Sequence, residues 1–353
     1  MAPTVDLSAL PPVGRESVLG ELLTALEAAS KGEGAALFLS GDQGTGKTYV
    51  TRLLQAEAGR KGFNIAAGRA YRAEAAVPYS LFADAFLPLL RALPTETLTV
   101  LTRGGLAELG YLFPALASAE DLSHPAEIEN SAEFRTRVLW TFTELLRELS
   151  DRHPLLVVLE DLHWGDASSL ELVHFLARQT EGHAILLILT VEELGREDPQ
   201  EAKELQRSLV AQGLASHLRL PAFTREDTEV LLRRAFGVEG GAAAEFTDRL
   251  QEWTQGNPFF IEETLGGLVA SGRLYQKGGT WLGWEVRELG LPGTIREAVV
   301  ARLARLSPDA RAVADLAAVL GARVPFSQLR AVSPLAEEEL LSTLGALVGN
   351  GLL

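Results

Sequence analysis

The chain has 353 residues, with 32 Lys and Arg set against 47 Asp and Glu, and no Cys. The net charge of −15 argues against this chain gripping a nucleic-acid backbone, which takes a surplus of Lys and Arg, but it leaves room for a local anion site. The absence of Cys excludes disulfides, Cys-based zinc sites and thiol nucleophiles, and 47% hydrophobic with 22% charged residues argues against a disordered or coiled-coil chain.

At ~150 residues per domain the length allows about two domains. The first six residues, Met-Ala-Pro-Thr-Val-Asp, do not read as a signal peptide, because no basic stretch precedes an apolar core. The apolar runs 155–159 and 184–189 fall far short of the ~20 residues that span a bilayer. A soluble, cytoplasmic protein without membrane partners is expected.

In chain order, the first predicted strand is Ala35–Ser40, followed by a helix from Gly46 to about Gly59. A second strand is predicted at Phe63–Ala67. A long helical stretch from Tyr79 to Arg152 follows, broken by Pro88, Pro94, Pro114 and Pro125. Leu155–Glu160 and Ala184–Val191 are almost continuously apolar, as parallel strands covered on both faces must be. Between them a helix carries Leu172, Phe175 and Leu176 on one face, and Ser216–Leu220 is a fifth strand. After Pro221 the pattern becomes helical. Thr224 with Asp227, Thr294 with Glu297, and Ser307 with Pro308 are helix starts. Ile295, Val299, Leu303 and Leu306 share a face, and 273–290 reads as a turn or small hairpin. The pattern predicts an α/β domain over 1–221 with helical modules behind it.

Gly41-Asp42-Gln43-Gly44-Thr45-Gly46-Lys47-Thr48 matches G-x-x-x-x-G-K-[ST] in full, between a predicted strand and a predicted helix. Glycines at these positions let successive N–H groups point at one phosphate, and the helix N-terminus adds positive potential. Lys47 then bridges the terminal phosphates and the Thr48 hydroxyl is a magnesium ligand. An acidic pair is expected at the end of another strand, and Glu160-Asp161 fits. On this reading Glu160 holds the metal through water, with Asp161 also within reach of it, and Asp161 polarises the attacking water. Asp166 reads as a helix cap. His163 reads as a structural hydrogen bonder and stays outside the catalytic set, and the six His show no spacing for a transition metal.

Together these segments resemble a family. Val13-Gly14-Arg15-Glu16, the loop at 41–48, Val158-Leu159-Glu160-Asp161-Leu162-His163-Trp164-Gly165-Asp166, and Gly256-Asn257-Pro258-Phe259-Phe260-Ile261-Glu262-Glu263 occur in that order. Leu291-Pro292-Gly293-Thr294-Ile295-Arg296-Glu297 and Ala317-Ala318-Val319-Leu320-Gly321 follow. The set is similar to the AAA-type P-loop module of STAND ATPases, especially MalT-like and LuxR-type bacterial regulators and cyclase-fused relatives.

The resemblance implies a P-loop fold with a five-stranded parallel sheet and the P-loop strand central. It further implies an all-α lid over 222–290 and, over 291–353, the start of a winged-helix domain. ATP or ADP with magnesium is the implied cofactor. Gly41, Gly44, Thr45, Gly46, Lys47, Thr48 and Tyr49 would hold its phosphates, Val13, Gly14 and Arg15 would line the adenine side, and Pro258 would touch base or ribose. Where relatives carry a γ-phosphate-sensing Arg after the fourth strand, this chain reads Thr190-Val191-Glu192-Glu193, with Arg196 the nearest substitute. The function so implied is a regulatory nucleotide switch with slow ATP hydrolysis and self-association in the ATP state. The alternative is an oligomeric AAA-type ATPase that turns over steadily.

Overall fold

The computed structural model describes residues 11–103, 105–116, 132–193, 200–238, 240–284, 303, 306–320 and 324–349. The first helix, α1 (Glu16–Ala29), leads into β1 (Ala35–Gly41), α2 (Lys47–Arg60) and β2 (Asn64–Arg69). Next come α3 (Ser80–Arg91), α4 (Thr95–Leu101), α5 (Leu106–Leu112) and the long α6 (Ala132–Arg152). β3 (Leu155–Glu160), α7 (Ala167–Ala177), β4 (Ile185–Glu192), α8 (Gln200–Ala211) and β5 (Ser216–Arg219) complete the α/β part.

The five strands form one parallel sheet in the order β2-β3-β4-β1-β5. The P-loop strand β1 is thus interior, flanked by β4 and β5, while β4 takes the middle place. Alternation along the strands divides the core. Phe38, Val157, Leu159, Leu187 and Leu189 face the layer built with α3 and α5–α8, and Leu37, Leu39, Val158, Leu186 and Ile188 face α1 and α2. Phe142 of α6 packs against Phe82, Phe86 and Phe113 with ring centroids 5.0–5.7 Å apart.

All five predicted strands form. β2 runs two residues beyond its predicted end, which carries Arg69 to the carboxyl edge of the sheet. Pro88 sits inside α3 instead of breaking it. It forfeits one helical hydrogen bond, but Leu81, Phe82, Ala85, Phe86 and Leu90 bury the helix on both sides of it. Pro94 does precede a helix start, at Thr95.

After β5 come α9 (Arg225–Phe236), α10 (Gly241–Thr254) and α11 (Pro258–Ala270), then the hairpin of β6 (Tyr275–Lys277) and β7 (Thr280–Leu282). Thr224 and Asp227 form the expected capping box of α9, and the Ala310 N–H donates to Ser307 Oγ at the start of α12 (Pro308–Leu320). A separate apolar cluster joins Leu232, Phe246, Leu265 and Trp284 of this region to Val13 from the chain start. The helical C-terminal region, α12 with α13 (Phe326–Val332) and α14 (Glu337–Gly349), packs around Val313, Leu329, Leu340 and Leu347. Pro125, Arg196, the segment Leu291–Glu297 with its Thr294 cap, Ile295, Val299, Gly321 and the first six residues lie outside the described residues. No helix among the described residues is long and apolar enough to cross a membrane.

Candidate nucleotide-binding site

The turn from β1 into α2 is the predicted Gly41–Thr48 loop. Gly44 (φ 82°) and Gly46 (φ 94°) occupy the left-handed region, where a Cβ is costly. At Gly44 space also forbids a side chain, because a Cβ would lie 2.7 Å from Asn257 Oδ1 and 2.9 Å from Phe259 Cβ. Among the described residues no side chain caps the N-terminus of α2, and Gly46, Lys47 and Thr48 line the cleft there, where an anion would meet the helix start. The loop opens on a cavity of about 570 Å³ at the carboxyl edge of the sheet, the usual place for a ligand in an open α/β sheet.

Lys47 lines this cavity, and its ammonium donates to the carbonyls of Gly41 (2.7 Å) and Asp42 (3.0 Å). Burial lowers its pKa, opposed by the charges of Glu192, Asp161, Asp42 and Glu193. Thr48 Oγ1 donates to Glu160 Oε2 at 3.2 Å, and Thr51 Oγ1 donates to Glu160 Oε1 at 2.6 Å. Both oxygens of Glu160 are therefore turned toward α2, beside the hydroxyl expected to meet magnesium. Asp161, held at φ 55°, instead faces Arg69, whose Nε donates to Asp161 Oδ2 at 2.6 Å. The Asp161 N–H is bound to Thr190 Oγ1 at 2.9 Å. Burial works against the charge on Arg69, but the hydrogen bond and charge of Asp161 outweigh it, so its pKa is raised. The two acids, adjacent in sequence, thus have different partners.

The opposite wall is apolar and includes Pro11, Val13, Phe223, Leu231 and Pro258. Arg15 is buried there, its guanidinium 4.4 Å from the Phe223 ring centroid and donating to Thr45 O (2.8 Å) and Gly14 O (2.9 Å). Burial brings its pKa down to about 10, against the pull of Asp227 and Glu16. Gly14 is required by its own φ of 61° and by the Asp227 carboxylate, 2.6 Å from where a Cβ would stand. Tyr49 lines the cavity from α2, and burial raises its phenol pKa.

From the other side α11 docks directly on the loop. Asn257 caps this helix, with Oδ1 accepting from the Phe259 and Phe260 N–H groups, while its Nδ2 donates to Gln43 O at 2.8 Å. The Phe259 N–H also donates to Gly44 O at 3.2 Å. Pro258 takes the first helical position, where its missing N–H costs nothing.

A sequence model of the AAA ATPase domain matches residues 11–189, just over half of the chain. The chain belongs to the AAA ATPase domain family. A second match, over residues 224–271, is to a domain of unknown function. No curated protein matches. Among solved structures, this AAA ATPase domain is similar to the ORC2 protein of Aeropyrum pernix in its ADPNP-ADP complexes. That match has 15% identity and a TM-score of 0.55, covering 99% of this chain and 89% of that one. The Walker-type ATPase of Pyrococcus abyssi matches at 16% identity and a TM-score of 0.50, covering 96% of this chain and 93% of that one. At such identity these likenesses speak for the fold alone.

The structure gathers Val13, Arg15, Gly44, Thr45, Gly46, Lys47, Thr48, Tyr49, Asp161 and Pro258 around one cavity. Glu160 stands behind Thr48, and Gly14 and Gly41 shape the backbone at the two ends. Sequence reasoning missed Arg69 and Phe223, whose neighbours in the chain carry no motif. His163, set aside in the sequence, lines the cavity; neither ring nitrogen has a hydrogen-bond partner among the described residues. Asp166 is the expected cap, accepting from Ser169 N–H at 2.9 Å and also from Tyr79 N–H at 3.0 Å. Among the described residues no cluster of three or more His, Asp or Glu is placed to hold a metal.

Proposed function

We propose that this AAA ATPase domain is an Mg-ATP/ADP-operated switch with slow hydrolysis. The supporting observation is the seating of α11 on the phosphate loop through Asn257 and Phe259. A ligand that fills the cavity touches the sheet domain and the α9–α11 lid together, so it biases their relative position by its differential affinity for the two arrangements.

Lys47 and the loop N–H groups bind the terminal phosphates. Thr48 and Glu160, the latter oriented by Thr51, would hold magnesium. Magnesium held there would supply charge neutralisation on the phosphates and on the leaving oxygen. Asp161 accepts the proton of a water whose oxygen bonds to the terminal phosphorus. The bond from that phosphorus to the bridging oxygen breaks, and its electron pair leaves with ADP. While Arg69 holds the Asp161 carboxylate, that base is occupied, which suits slow turnover. Val13, Gly14 and Arg15 form the base side with Phe223, and Pro258 closes over it.

The test is a time course of ADP formation with excess Mg-ATP, using Lys47→Ala as the control. One equivalent followed by a stall, absent in the variant, is expected. Steady turnover that rises with protein concentration would replace the switch by an assembling ATPase. Calorimetry should show tight ATP binding lost in Lys47→Ala with its melting transition retained; unchanged affinity would remove the site.

A further inference from the structure

The carbonyls of Gly41 to Thr45 in the phosphate loop are all engaged, and three of them by groups from outside it. Lys47 Nζ takes those of Gly41 (2.7 Å) and Asp42 (3.0 Å). Gln43 O accepts from Asn257 Nδ2 and Gly44 O from the Phe259 N–H, both at the start of α11. Thr45 O accepts from Arg15 Nη2 at 2.8 Å, across 30 residues of sequence. A trans peptide unit is planar, so its carbonyl and the following N–H point in opposite directions. Holding Thr45 O on one side therefore holds the Gly46 N–H on the other. Gly46 (φ 94°) lines the cavity and has the backbone freedom of glycine. Without such a tie the Thr45–Gly46 peptide plane is free to turn over.

Arg15 is itself held in place. Its guanidinium lies 4.4 Å from the Phe223 ring centroid, an attraction that grows where water is excluded. Its Nη1 donates to Gly14 O at 2.9 Å, and the residue is only 3% exposed. Phe223 is fixed in turn. Its N–H donates to Gly256 O at 2.8 Å, and its carbonyl accepts from Gln251 Nε2 at 2.9 Å. The ring thus stands on the turn between α10 and α11, and Arg15 carries its position to the loop. A side chain so covered and so committed has little left to offer a base.

We propose that Arg15 is a positioning residue, which takes its bearing from the Phe223 ring and, through the Thr45 carbonyl, fixes the phosphate loop in its anion-binding form. The inference rests on the nucleotide-switch reading and deepens it: the base wall and the phosphate loop are one mechanical unit, assembled before a nucleotide arrives.

The experiment is isothermal titration of the whole chain with Mg-ADP and with magnesium pyrophosphate, which has phosphates but no base. Wild type, Arg15→Gln, Arg15→Lys, Phe223→Leu and the double variant Arg15→Gln with Phe223→Leu are compared. Arg15→Gln should weaken both ligands by a similar factor, about tenfold or more. Arg15→Lys keeps the charge but loses the planar fork, so pyrophosphate should stay weakened by about threefold or more. Phe223→Leu alters no charge and no loop contact. It should weaken pyrophosphate about threefold in wild type and leave it unchanged in the Arg15→Gln background. If Arg15→Gln does not fold, Arg15→Lys and Phe223→Leu carry the test.

Weakened ADP with unchanged pyrophosphate makes Arg15 a base ligand and overturns the positioning role. Full recovery in Arg15→Lys reduces that role to charge and equally overturns it, as do equal effects of Phe223→Leu in both backgrounds. A lower stoichiometry at wild-type affinity marks a residue needed only for folding. Wild type that binds ADP but not pyrophosphate refutes a loop formed in advance. Absence of binding by either ligand to wild type overturns the nucleotide reading itself.

Discussion

Asn257 serves two structures at once, and two substitutions separate them. Its Oδ1 caps α11 by accepting from Phe259 N–H (3.1 Å) and Phe260 N–H (3.4 Å), while its Nδ2 donates to Gln43 O (2.8 Å) on the phosphate loop. Asn257→Ala removes both. Losing a cap costs about 1 kcal/mol, and losing a neutral hydrogen bond near the surface costs about 0.5–1 kcal/mol. The cap loss loosens the start of α11 itself, whereas the latch loss, about 0.5–1 kcal/mol, raises the equilibrium constant for lifting α11 from the loop roughly two- to five-fold. Asn257→Asp keeps the cap, strengthened by a negative charge at the helix N-terminus. It also turns an oxygen toward the Gln43 carbonyl, so only the latch is lost. Hydrogen exchange at the Phe260 amide reads the cap, and the ADP dissociation rate reads the latch. Asn257→Ala should accelerate both, and Asn257→Asp should accelerate ADP release while Phe260 stays protected. Wild-type ADP release from Asn257→Asp would show that this contact does not hold the lid, and the argument for coupling would fail.

Three further outcomes follow from the packing and charges. Thr51→Val keeps the shape of a fully buried side chain but removes the 2.6 Å donor to Glu160, at a cost of about 1.5–3 kcal/mol. Its urea midpoint should drop, and the drop should largely vanish in a Glu160→Ala background; equal drops in both backgrounds would exclude the contact. Phe142→Ala empties the centre of the aromatic cluster on the sheet and should cost about 3–5 kcal/mol, read as a lower midpoint at constant slope. A loss below about 1 kcal/mol would refute that packing. Finally, burial lowers the pKa of Lys47 below 10.5, and a bound phosphate favours the charged ammonium and raises it again. Between the two values nucleotide binding takes up protons, so affinity should fall as pH rises through the lower one. Calorimetry at alkaline pH in two buffers of different ionisation heat detects this; identical heats would contradict it.

The sheet was legible because its two most buried strands have no tolerance for polar residues, and the loop because its glycines and Lys47 stand in unbroken sequence. Local caps such as Thr224 and Asp166 were legible for the same reason: donor and acceptor are three residues apart. Elsewhere the partners come from distant parts of the chain. Thr51 and Glu160 are separated by 109 residues, and neither carries a mark of the other. Arg69 was hidden because β2 stops looking like a strand at Gly68, where a Cβ would lie 2.6 Å from the Ala85 N of α3. That glycine reports close helix packing, which only the folded chain reveals. Pro88 misled in the opposite sense, since burial on both sides of it outweighed one missing hydrogen bond.

The three residues ahead of α1 form a second connection between the sheet and the α9–α11 region, beside the docking of α11 on the phosphate loop. Val13 is buried in the core of α9–α11, and Arg234 of α9 donates to Pro12 O at 3.2 Å. Arg15, two positions on, is bound to Thr45 O of the phosphate loop. Fully extended, three residues reach only about 10 Å. On the proposed switch, the α9–α11 region moves within that tether by breaking only the contacts of α11 with the loop. To travel farther it must first extract Val13 from an apolar core, at about 1.5–3 kcal/mol, or break Arg15 from its carbonyls. If the proposed switch operates, separation then meets a second threshold after the α11 contacts are lost, and its length is written in residues 13 to 15.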